Sequence, residues 1–473
     1  MISRRHFIRS SAALALSAPF ATLISTAHAD GAIELRAQKT SKKLAGDAYA
    51  ASDLWLYNGE SPGPEIRVKQ GQRVRVHFIN ELDEPTSIHW HGIRIDNAMD
   101  GVSGLTQEAV PPGGTFEYDF VAPDAGTFWY HAHNKSWNQV ARGLYGALIV
   151  EEPDPVFDDN HDLTLVLDDW RLGNDGALHL ASLGSLMDWS HGGRLGNWIT
   201  VNGTSQPEFK LNAGENYRLR LINACNARVI QISPTAINAL VLGYDGFVFE
   251  EPARPEDDYL SLAPAQRIDL MINGSVTGQS ELNDIGDFSL QELSGQEALS
   301  LAKFSFSNTK STGQQISPKF TPNTISTPDL ENAVNVPLLM TGGAMGQLGA
   351  VSYQGKPLGR DDTMRTKQTW AFNGIANLAD DPLFRVERGQ TVVVKTENKT
   401  GWIHGMHVHG HHFKILSRQR EELPSLHWRD TFIIDGDEIV EIAFVADNPG
   451  KWLLHCHMLE HAAAGMQTWF EVV

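Results

Sequence analysis

The feature that most constrains the fold of this chain is a pattern that occurs three times. In each copy an Asn-Gly pair precedes a stretch of alternating apolar and polar residues that runs into a glycine, and an asparagine follows nine residues later. The copies contain Asn58-Gly59, Gly71 and Asn80, then Asn202-Gly203, Gly214 and Asn223, then Asn373-Gly374, Gly389 and Asn398. Alternation with a period of two is typical of strands with one buried face. The chain is therefore expected to fold as three copies of one β unit.

Between these copies, strand-like segments dominate, and clusters of proline and glycine mark turns, for example at residues 111–114 and 448–450. Only short helices are expected, at residues 459–464 and near 235–240. Antiparallel strands of this kind, joined by turns, predict Greek-key β sandwiches. The fold class is therefore expected to be all-β, with three tandem sandwich domains.

Two segments indicate where the domains divide. Residues 151–155, Glu-Glu-Pro-Asp-Pro, close the first unit, and a stretch rich in Ser, Thr, Pro and Asn from 307 to 328 leads towards the third. The expected domains are residues 30–152, 153–325 and 326–473. Three domains also agree with the usual domain size for a chain of 473 residues.

The first 29 residues have the features of a twin-arginine export signal. Ser3-Arg4-Arg5-His6-Phe7 precedes a mildly apolar stretch, and Ala27-His28-Ala29 fits a cleavage site after small residues. The apolar stretch is too short and too rich in Ala and Ser for a membrane span, and no other segment reaches the roughly 18 apolar residues that a spanning helix needs. We therefore expect export to the periplasm by the twin-arginine machinery. The mature chain is expected to be soluble, to have no membrane span and to begin near Asp30.

The net charge restricts the expected binding partners, and the cysteine content restricts which thiol can take part in chemistry. The formal net charge of −19 at pH 7 disfavours binding to nucleic acid or anionic lipid, so no nucleic-acid partner is expected, and we expect a monomer. Only two cysteines are present, although an exported protein could use disulfides freely. Cys225 lies in an apolar stretch and is interpreted as an inert core thiol, which leaves Cys456 as the cysteine available for chemistry.

Cys456 lies in the run His-Cys-His-Met-Leu-Glu-His-Ala-Ala-Ala-Gly-Met. Successive side chains of a strand point to opposite faces, so His455 and His457 leave the strand on one side and Cys456 on the other. The Cys456 thiolate, an imidazole from His461 and a weak thioether from Met466 are the kind of donors that select a blue-copper electron-transfer centre. The two flanking histidines must then bind something else.

Histidines separated by one residue recur more often than composition explains. With 19 histidines in 473 residues, about one such pair is expected by chance, and five occur. They are His89/His91, His131/His133, His407/His409, His409/His411 and His455/His457. Any single pair is commonly a feature of a surface strand, but this number, together with the Cys456 run, indicates a metal cluster.

The repeat predicts where this cluster lies. Nine residues after the last asparagine of each copy come His89 in the first copy, Ile232 in the middle copy and His407 in the third. A glycine precedes His131 and His455 by five residues in the first and third copies. The first and third copies therefore carry donors and the middle copy is blank. This distribution predicts a cluster at the interface of the first and third domains.

With these motifs the chain resembles the exported bacterial type of three-domain multicopper oxidase, a laccase-like family built from three cupredoxin domains. The resemblance covers the whole mature sequence. The motifs His-Trp-His-Gly, His-Ala-His, His-Gly-Met-His-Val-His-Gly and the Cys456 run stand in the family's order. The resemblance implies four copper ions, namely one type 1, one type 2 and a type 3 pair. It also implies that a reducing substrate gives single electrons to type 1 copper, and that the other three coppers reduce O2 to water.

The resemblance further implies a role for each donor. Type 2 copper would be bound by His89 and His407. The type 3 pair would be bound by His91, His131, His133, His409, His455 and His457. Type 1 copper would be bound by His404, Cys456, His461 and, weakly, Met466.

Two carboxyl groups match the family's acids. Asp100 would lie near type 2 copper and Glu460 near the type 3 pair, where positioned carboxyl groups can supply the protons that O2 reduction consumes. Each has an alternative interpretation. Asp100 precedes Gly101 and could be a turn residue, and Glu460 could be a solvated helix acid or a hydrogen-bond acceptor behind the metal.

The chain differs from the family pattern at two places near the third motif, His-Gly-Met-His-Val-His-Gly. Position 405 is Gly where many relatives have Pro, which would loosen the loop that holds His404 without removing a donor. His411 and His412 offer a second register for the ligands. We interpret them as strand residues or hydrogen-bond partners, because His404, His407 and His409 already fill every ligand position of this motif.

The substrate is less constrained. The cuprous-oxidase branch of the family places Asp and Met just before the first histidine of the third motif and often carries a methionine-rich insert. Here Thr400-Gly401-Trp402-Ile403 takes that place, and the ten methionines are scattered. Phenols or aromatic amines are therefore the expected substrates, with manganese, ferrous or cuprous ions as the alternative. Candidate residues for the substrate entrance are Met187, Trp189, His191, Met340 and Met345, although the plainer interpretation is that they fill loops or the core.

Two other classes of protein share the domain type. Exported scaffolds without catalysis act in cell division, but they have lost donor residues, whereas every donor position is filled here. Copper nitrite reductases have two domains and no type 3 pair. Three repeats and ten matched histidines disfavour that class.

Overall fold

The computed structural model describes residues 26–28, 31–255, 257–273, 288–295, 297–307, 318–419, 421–422 and 427–473. The rest of the expected export signal and part of the stretch from 307 to 328 lie outside these residues. Strands dominate the described chain, so the all-β prediction is confirmed. We call the strands up to residue 151 the first unit, those from 162 to 307 the middle unit and those from 334 to 472 the third unit. The domain boundaries stay predictions.

The first unit is a sandwich of two sheets. Its strands are β1 (Thr26–His28), β2 (Ile33–Lys42), β3 (Ser52–Tyr57), β4 (Gly63–Lys69), β5 (Arg73–Asn80), β6 (Ile88–His91), β7 (Thr115–Val121), β8 (Gly126–Ala132) and β9 (Tyr145–Glu151). One sheet has the order β1-β4-β9-β8-β6 and the other β3-β2-β5-β7. Val76 and Phe78 from one sheet meet Trp90 and Leu148 from the other in a buried core. β1, which belongs to the stretch expected as an export signal, pairs in parallel with β4.

The middle unit repeats this architecture. Its strands are β10 (Asp162–Trp170), β11 (Trp198–Val201), β12 (Glu208–Asn212), β13 (Asn216–Asn223), β14 (Ile230–Ile232), β15 (Leu240–Tyr244), β16 (Phe247–Ala253), β17 (Leu260–Leu262), β18 (Arg267–Asn273), β19 (Phe288–Glu292) and β20 (Leu299–Ser307). The sheets have the orders β11-β10-β13-β18-β15-β16, β12-β20-β19 and β14-β17. Ile232, which stands where the other copies have histidine, is fully buried in the core with Leu219 and Phe304.

The third unit carries the largest sheet. Its strands are β21 (Val334–Gly342), β22 (Ser352–Tyr353), β23 (Lys356–Pro357), β24 (Trp370–Phe372), β25 (Ile375–Ala376), β26 (Arg385–Val386), β27 (Thr391–Asn398), β28 (His404–Val408), β29 (Phe413–Arg418), β30 (Glu421–Glu422), β31 (Trp428–Arg429), β32 (Thr431–Ile434), β33 (Ile439–Val445), β34 (Gly450–Cys456) and β35 (Gln467–Val472). One sheet has the order β23-β22-β25-β24-β21-β27-β33-β29-β30, with β31 paired to β29, and the other β26-β35-β34-β28-β32.

Helices are short. The α-helices are α1 (Ser136–Gln139), α2 (Leu186–Ser190), α3 (Arg360–Thr366) and α4 (Leu459–Ala463). The 3-10 helices are Asn97–Met99, Val140–Arg142, Leu180–Ser182, Thr235–Ile237 and Leu330–Asn332. The two helical segments predicted from the sequence are therefore present. In the part of the chain that the structure describes, no helix has the length and apolar character that crossing a membrane would require.

Hydrogen bonds explain why the Asn-Gly pair recurs. Asn58, Asn202 and Asn373 each adopt a left-handed backbone conformation, with φ between 47° and 53°, which asparagine tolerates better than most residues. Each side chain accepts a hydrogen bond from a main-chain N–H of a neighbouring strand and donates one to the carbonyl two residues earlier on that strand. One residue type thus fastens the same turn to the same strand position in all three units.

The last asparagine of each copy is fully buried and holds the loop that follows. Asn80, Asn223 and Asn398 each donate two hydrogen bonds to main-chain carbonyls and accept one from the N–H two residues further on. In the first and third units this loop leads to His89 and His407. The shared anchor therefore places both donor strands at equivalent positions.

Buried polar groups join the first and middle units. Thr127 Oγ1 accepts a hydrogen bond from Arg220 at 2.8 Å and donates one to Asp269 at 2.7 Å. At the same interface 2.6 Å separates Tyr145 Oη from Asp168 Oδ2. Burial raises the pKa of Asp168 to about 8, and the neighbouring Asp169 carboxylate adds to the rise. The Asp168 carboxyl group is therefore largely protonated at neutral pH in the folded protein.

This proton makes stability depend on pH. The unfolded chain releases it near pH 4, whereas the folded protein keeps it up to about pH 8. The contribution of Asp168 to stability is therefore complete below about pH 4 and is lost as the pH rises to 8, by at most about 1.4 kcal/mol per pH unit. Asp168→Asn cannot ionise, so its melting temperature should fall less than that of the wild type between about pH 5 and pH 8.

Thermal unfolding at a series of pH values measures this difference. Asp47→Asn is the control, because the Asp47 side chain is fully exposed, and its pH profile should match the wild type. An Asp168→Asn profile parallel to that of the wild type would show that the carboxyl is not held protonated.

Candidate metal centre

β34 carries potential donors for two sites. On this strand His455 and Cys456 point to opposite faces, and both are buried. β34 pairs with β28 so that His407 lies opposite His455 and Met406 lies opposite Cys456. His457 follows directly after the strand and is also buried. The alternation predicted for the Cys456 run is therefore present.

Eight imidazoles meet between the first and third units. They belong to His89, His91, His131, His133, His407, His409, His455 and His457. The rings of His89 and His409 stack with their centroids 3.9 Å apart, and those of His91 and His407 stack at 3.8 Å. Histidines from opposite ends of the chain are thus in direct contact. The structure places this cluster at the interface that the repeat predicts.

Some imidazole nitrogens of the cluster face each other in pairs, both within the third unit and between the first and third units. In one such pair, 3.1 Å separates His409 Nε2 from His455 Nε2. The Nδ1 atom of His409 lies 3.1 Å from both carboxylate oxygens of Asp100, and Nδ1 of His455 lies 2.9 Å from the Cys456 carbonyl. Because each Nδ1 donates its proton to oxygen, both Nε2 atoms carry lone pairs. A cation between them would satisfy both.

Further nitrogens of the cluster are buried without a hydrogen-bond partner in the described chain. They are His89 Nε2, His91 Nδ1, His407 Nε2 and His457 Nδ1. The other nitrogen of His89 donates to the Asp100 carbonyl, and that of His407 to the Asp430 carbonyl, each at 2.8 Å. An unsatisfied buried nitrogen costs about 1–3 kcal/mol, and metal coordination removes that cost. The donor set therefore fits bound metal.

Protonation states agree with this fit. Burial lowers the pKa of most of these imidazoles, and neighbouring imidazoles lower it further. The pKa is held well below its usual value in His91, His131, His133, His409, His455 and His457. Neutral imidazole is the form that binds metal, so these six imidazoles are held in the form that a metal ion requires.

A second group of donors surrounds Cys456. Its Sγ lies 3.6 Å from His404 Nδ1 and 3.8 Å from His461 Nδ1, and these two nitrogens are 3.0 Å apart. Burial raises the pKa of Cys456 to about 12, so a thiolate here requires a bound cation. Met466 is fully buried, and its carbonyl accepts a hydrogen bond from the Cys456 N–H at 3.0 Å. This group fits a soft metal ion.

The outer nitrogens of this second group are also occupied. Thr400 Oγ1 lies 2.9 Å from His404 Nε2, and the His191 carbonyl lies 2.5 Å from His461 Nε2. These contacts fix both rings so that Nδ1 faces Cys456. The His191 carbonyl comes from the middle unit and covers the edge of His461 that points away from the sulfur.

Asp100 joins the histidines of the two units. It is buried, and its carboxylate lies 3.3 Å from His89 Nδ1 as well as 3.1 Å from His409 Nδ1. Asp100 therefore orients one imidazole from each unit, which is more than the turn role that the sequence left open.

Glu460 lies in the first turn of α4 and is buried. Asn226 Nδ2 donates to Oε1 at 2.7 Å, and the Arg194 N–H donates to Oε2 at 3.2 Å. Burial raises the pKa of Glu460. A solvated helix acid is thereby excluded. Both partners belong to the middle unit.

Sequence analysis missed one carboxylate of the site. Asp430 is fully buried, and its Oδ1 lies 3.3 Å from His91 Nε2. Its own carbonyl accepts the His407 hydrogen bond. Arg267 of the middle unit forms a two-point ion pair with Asp430. The order Trp-Arg-Asp-Thr has no spacing that relates it to the histidine pairs, so no local signal marks it.

Three further residues were not expected to be metal ligands, and the structure shows what surrounds them. His411 Nδ1 lies 3.2 Å from the His409 carbonyl, and His412 Nε2 lies 2.7 Å from the Gly92 carbonyl. Cys225 is buried, and burial raises the pKa of its thiol. The interpretations of His411 and His412 as hydrogen-bond partners and of Cys225 as a core thiol agree with these contacts.

The candidate residues for the substrate entrance differ in their exposure to solvent. Met340 is fully buried on β21, so the plainer interpretation, that it fills the core, is confirmed and the entrance role is excluded. Its place follows from alternation, because every second residue of this strand faces the core. Met187 and Met345 are exposed, and Trp189 is buried. The His191 ring packs on Trp402 with a centroid distance of 5.3 Å.

Comparison with known proteins defines the class. Two family models, both described as multicopper oxidase, match residues 38–155 and residues 355–473. These are the segments that carry the donor strands of the first and third units. The chain belongs to the multicopper oxidase family, which binds copper and couples oxidation of a reducing substrate to reduction of O2. It is therefore an oxidoreductase.

Individual relatives are similar over most of their length. The multicopper oxidase MmcO of Mycobacterium tuberculosis is 30% identical over 87% of this chain and 82% of its own. Laccase-1 of Cryptococcus neoformans var. neoformans is 28% identical over 88% of this chain and 77% of its own. The structure of Lac15 from a marine microbial metagenome is 37% identical, covers 93% of this chain and all of its own, and has a TM-score of 0.72. The prediction of cupredoxin-like sandwiches is confirmed.

The position of Asp100 leads to a prediction. Asp100→Asn keeps the main-chain carbonyl of residue 100, which accepts a hydrogen bond from His89. Its neutral side chain, however, cannot offer both imidazoles a negatively charged oxygen as the carboxylate does. We expect the variant to lose metal from the histidine cluster at about 10–100 times lower chelator concentration, while the metal beside Cys456 stays bound. Metal counting after dialysis against graded chelator measures this loss.

Asp96→Asn is the matched control. Asp96 is exposed in the same loop and accepts a hydrogen bond from the Ala98 N–H at the start of a 3-10 helix, a role that asparagine fills equally well. Equal metal retention in the two variants would contradict the role of Asp100.

Proposed function

We propose that this protein is a laccase-like oxidase that couples one-electron oxidation of phenols or aromatic amines to four-electron reduction of O2 to water. The observation that carries this proposal is the sequence His455-Cys456-His457 on and beside β34. The Cys456 side chain belongs to one donor group, and its two neighbours belong to the other. The peptide bonds on either side of Cys456 thus link the two donor groups, and this is the shortest covalent connection that the two groups could have.

The proposal assigns four copper ions to the two groups. Type 1 copper is held by His404, Cys456, His461 and the weak donor Met466. Type 2 copper is held by His89 and His407, and the type 3 pair by His91, His131, His133, His409, His455 and His457. Bound copper supplies one-electron redox chemistry at the thiolate and the binding and reduction of O2 at the cluster. The support for this assignment is the set of buried lone pairs described above.

The protein side chains have separate tasks. Thr400 and the His191 carbonyl hold the two type 1 imidazoles, and Asp100 holds one imidazole from each unit of the cluster. We assign the supply of protons to Asp100 and Glu460, because both carboxyl groups are buried beside the donors and oxygen reduction consumes protons. The Asn226 side chain keeps Glu460 in place.

The reducing substrate is proposed to approach over α2. The His191 carbonyl covers His461, and the His191 and Trp402 rings lie next to it. Aromatic rings at this position suit a phenol or an aromatic amine. Electron transfer from outside the metal site needs close approach but no bond to the metal.

A second candidate is oxidation of cuprous, manganous or ferrous ions. It is favoured by the exposed thioethers of Met187 and Met345. Their segments touch, since the Ala344 N–H donates to the Ser190 carbonyl at 2.6 Å. Thioether is a soft donor that suits cuprous ion in particular. The third candidate, a scaffold without catalysis, has no support from a donor set in which every place is filled.

Location and partners belong to the same proposal. We propose that the twin-arginine machinery exports the chain to the periplasm, on the basis of the Arg4-Arg5 segment. The protein is proposed to act as a monomer on small reducing substrates and O2.

Removal of the sulfur tests the type 1 assignment. Cys456→Ser is expected to abolish the intense blue absorption of the copper-loaded protein, because a hydroxyl does not give the thiolate-to-copper transition. Absorption spectroscopy and copper counting measure the result, and the variant should lose about one of four coppers. Cys225→Ser is the control, since Cys225 is a core thiol away from the donors, and it should stay blue. A blue Cys456→Ser protein would remove the assignment.

A comparison of substrates separates the two catalytic candidates. Oxygen consumption is measured with dimethoxyphenol, cuprous ion and manganous ion. We expect the phenol to give the highest kcat/KM, because the residues next to His461 are aromatic. The double variant Met187→Ala/Met345→Ala should then keep its phenol activity. Faster turnover of cuprous ion that this double variant loses would favour the metallo-oxidase.

A further inference from the structure

We propose that Arg267, in the middle unit, is a positioning residue for the copper cluster, and that it acts through Asp430 on His91 and His407. The inference rests on the proposed function, because it concerns the ligands of type 2 and type 3 copper. It gives the unit without donors a direct part in the metal site.

Arg267 joins all three units. Its side chain is fully buried at the start of β18. Nη1 donates to Asp430 Oδ1 at 2.9 Å and Nη2 donates to Oδ2 at 2.5 Å, so the guanidinium grips both oxygens of the third unit's carboxylate. Nε donates to the Thr127 carbonyl of the first unit at 3.0 Å, and Nη1 also donates to the Ala265 carbonyl of its own unit at 3.1 Å.

Asp430 transmits this constraint to two imidazoles. Its Oδ1 accepts from His91 Nε2 at 3.3 Å, and its carbonyl accepts from His407 Nδ1 at 2.8 Å. Each imidazole therefore spends one nitrogen on Asp430. The remaining nitrogens, His91 Nδ1 and His407 Nε2, have no partner in the described chain and face the donor cluster. Asp430 thus decides which nitrogen of each ring is available to copper.

The ion pair is needed because of where Asp430 lies. A carboxylate without exposure pays a large desolvation cost unless a charged partner compensates it. The charge of Arg267 lowers the pKa of Asp430 well below its usual value. Arginine suits this place because its planar fork binds both oxygens and fixes the carboxylate plane, which a lysine point charge does not do.

Neighbouring hydrogen bonds also fix the main chain around the ion pair between Arg267 and Asp430. Asp245 Oδ1 accepts the Arg267 main-chain N–H at 3.0 Å, and its Oδ2 accepts the Thr431 N–H at 3.4 Å. Gln266 Nε2 donates to the Thr431 carbonyl at 2.9 Å. The middle unit therefore fixes the main chain on both sides of the ion pair.

A simple interface role would give a different result. Buried arginines of the middle unit also bind carboxylates that form no hydrogen bond with the cluster histidines in the described chain. Arg218, for example, is as buried as Arg267, and its Nη2 and Nη1 bind Asp269 at 2.5 Å and Glu152 at 2.8 Å. If Arg267 only held domains together, its replacement and that of Arg218 would have the same effect. If Arg267 positions ligands, the effect should be selective for the cluster.

The test uses Arg267→Lys in the copper-loaded protein, with Arg218→Lys as the matched control. Copper is counted after dialysis against graded chelator, and type 2 copper is followed by electron paramagnetic resonance. We expect Arg267→Lys to lose type 2 copper at about tenfold or more lower chelator concentration and to show an altered type 2 hyperfine splitting. The blue absorption, which reports the separate Cys456 group, should stay at its wild-type intensity. Arg218→Lys should match the wild type in all three measurements.

Asp430→Asn provides a second variant that keeps the size of the side chain. It should show the same selective loss of type 2 copper if Arg267 acts through Asp430. Wild-type retention and hyperfine splitting in both Arg267→Lys and Asp430→Asn would overturn the proposal, and so would equal losses in Arg267→Lys and Arg218→Lys. Wild-type protein that binds no copper and shows no blue absorption would instead contradict the proposed function.

Discussion

Two side chains that follow each other on a strand must point to opposite faces, and the whole site depends on this constraint at Cys456. The strand lies inside the third unit on its sulfur side and at the boundary with the first unit on its histidine side. The cluster can therefore form only if β6 and β8 of the first unit meet β28 and β34 of the third. The stacked pairs His89/His409 and His91/His407 show that they do. Burial of so many imidazoles in one place then leaves lone pairs that bound cations would satisfy.

The middle unit supplies no side chain to either donor group in the described chain, yet it contacts residues at both groups. Arg267 binds Asp430, Asn226 binds Glu460, and the His191 carbonyl covers His461. Each contact is to a side chain that orients or borders the donors. The unit is therefore not a spacer between two copper-binding ends. Its polar groups complete hydrogen bonds that the other two units leave open.

Much of this arrangement could be predicted from the sequence. The Asn-Gly and later asparagine positions predicted three equivalent units because each asparagine makes local hydrogen bonds that its neighbours in sequence dictate. The histidine spacings predicted the interface because strand alternation converts spacing into direction. Residues such as Arg267 and Asp430 could not be predicted in this way, since they are 163 positions apart and meet only when the units dock. Met340 shows the opposite case, because alternation on β21 is enough to place it in the core.

Anomalous diffraction at the copper absorption edge, from crystals of the copper-loaded protein, tests the central claim most directly. The account predicts one strong peak beside Cys456 Sγ and the Nδ1 atoms of His404 and His461, and three peaks among the eight imidazoles between the first and third units. Peaks confined to surface histidines, with none beside Cys456, would contradict it.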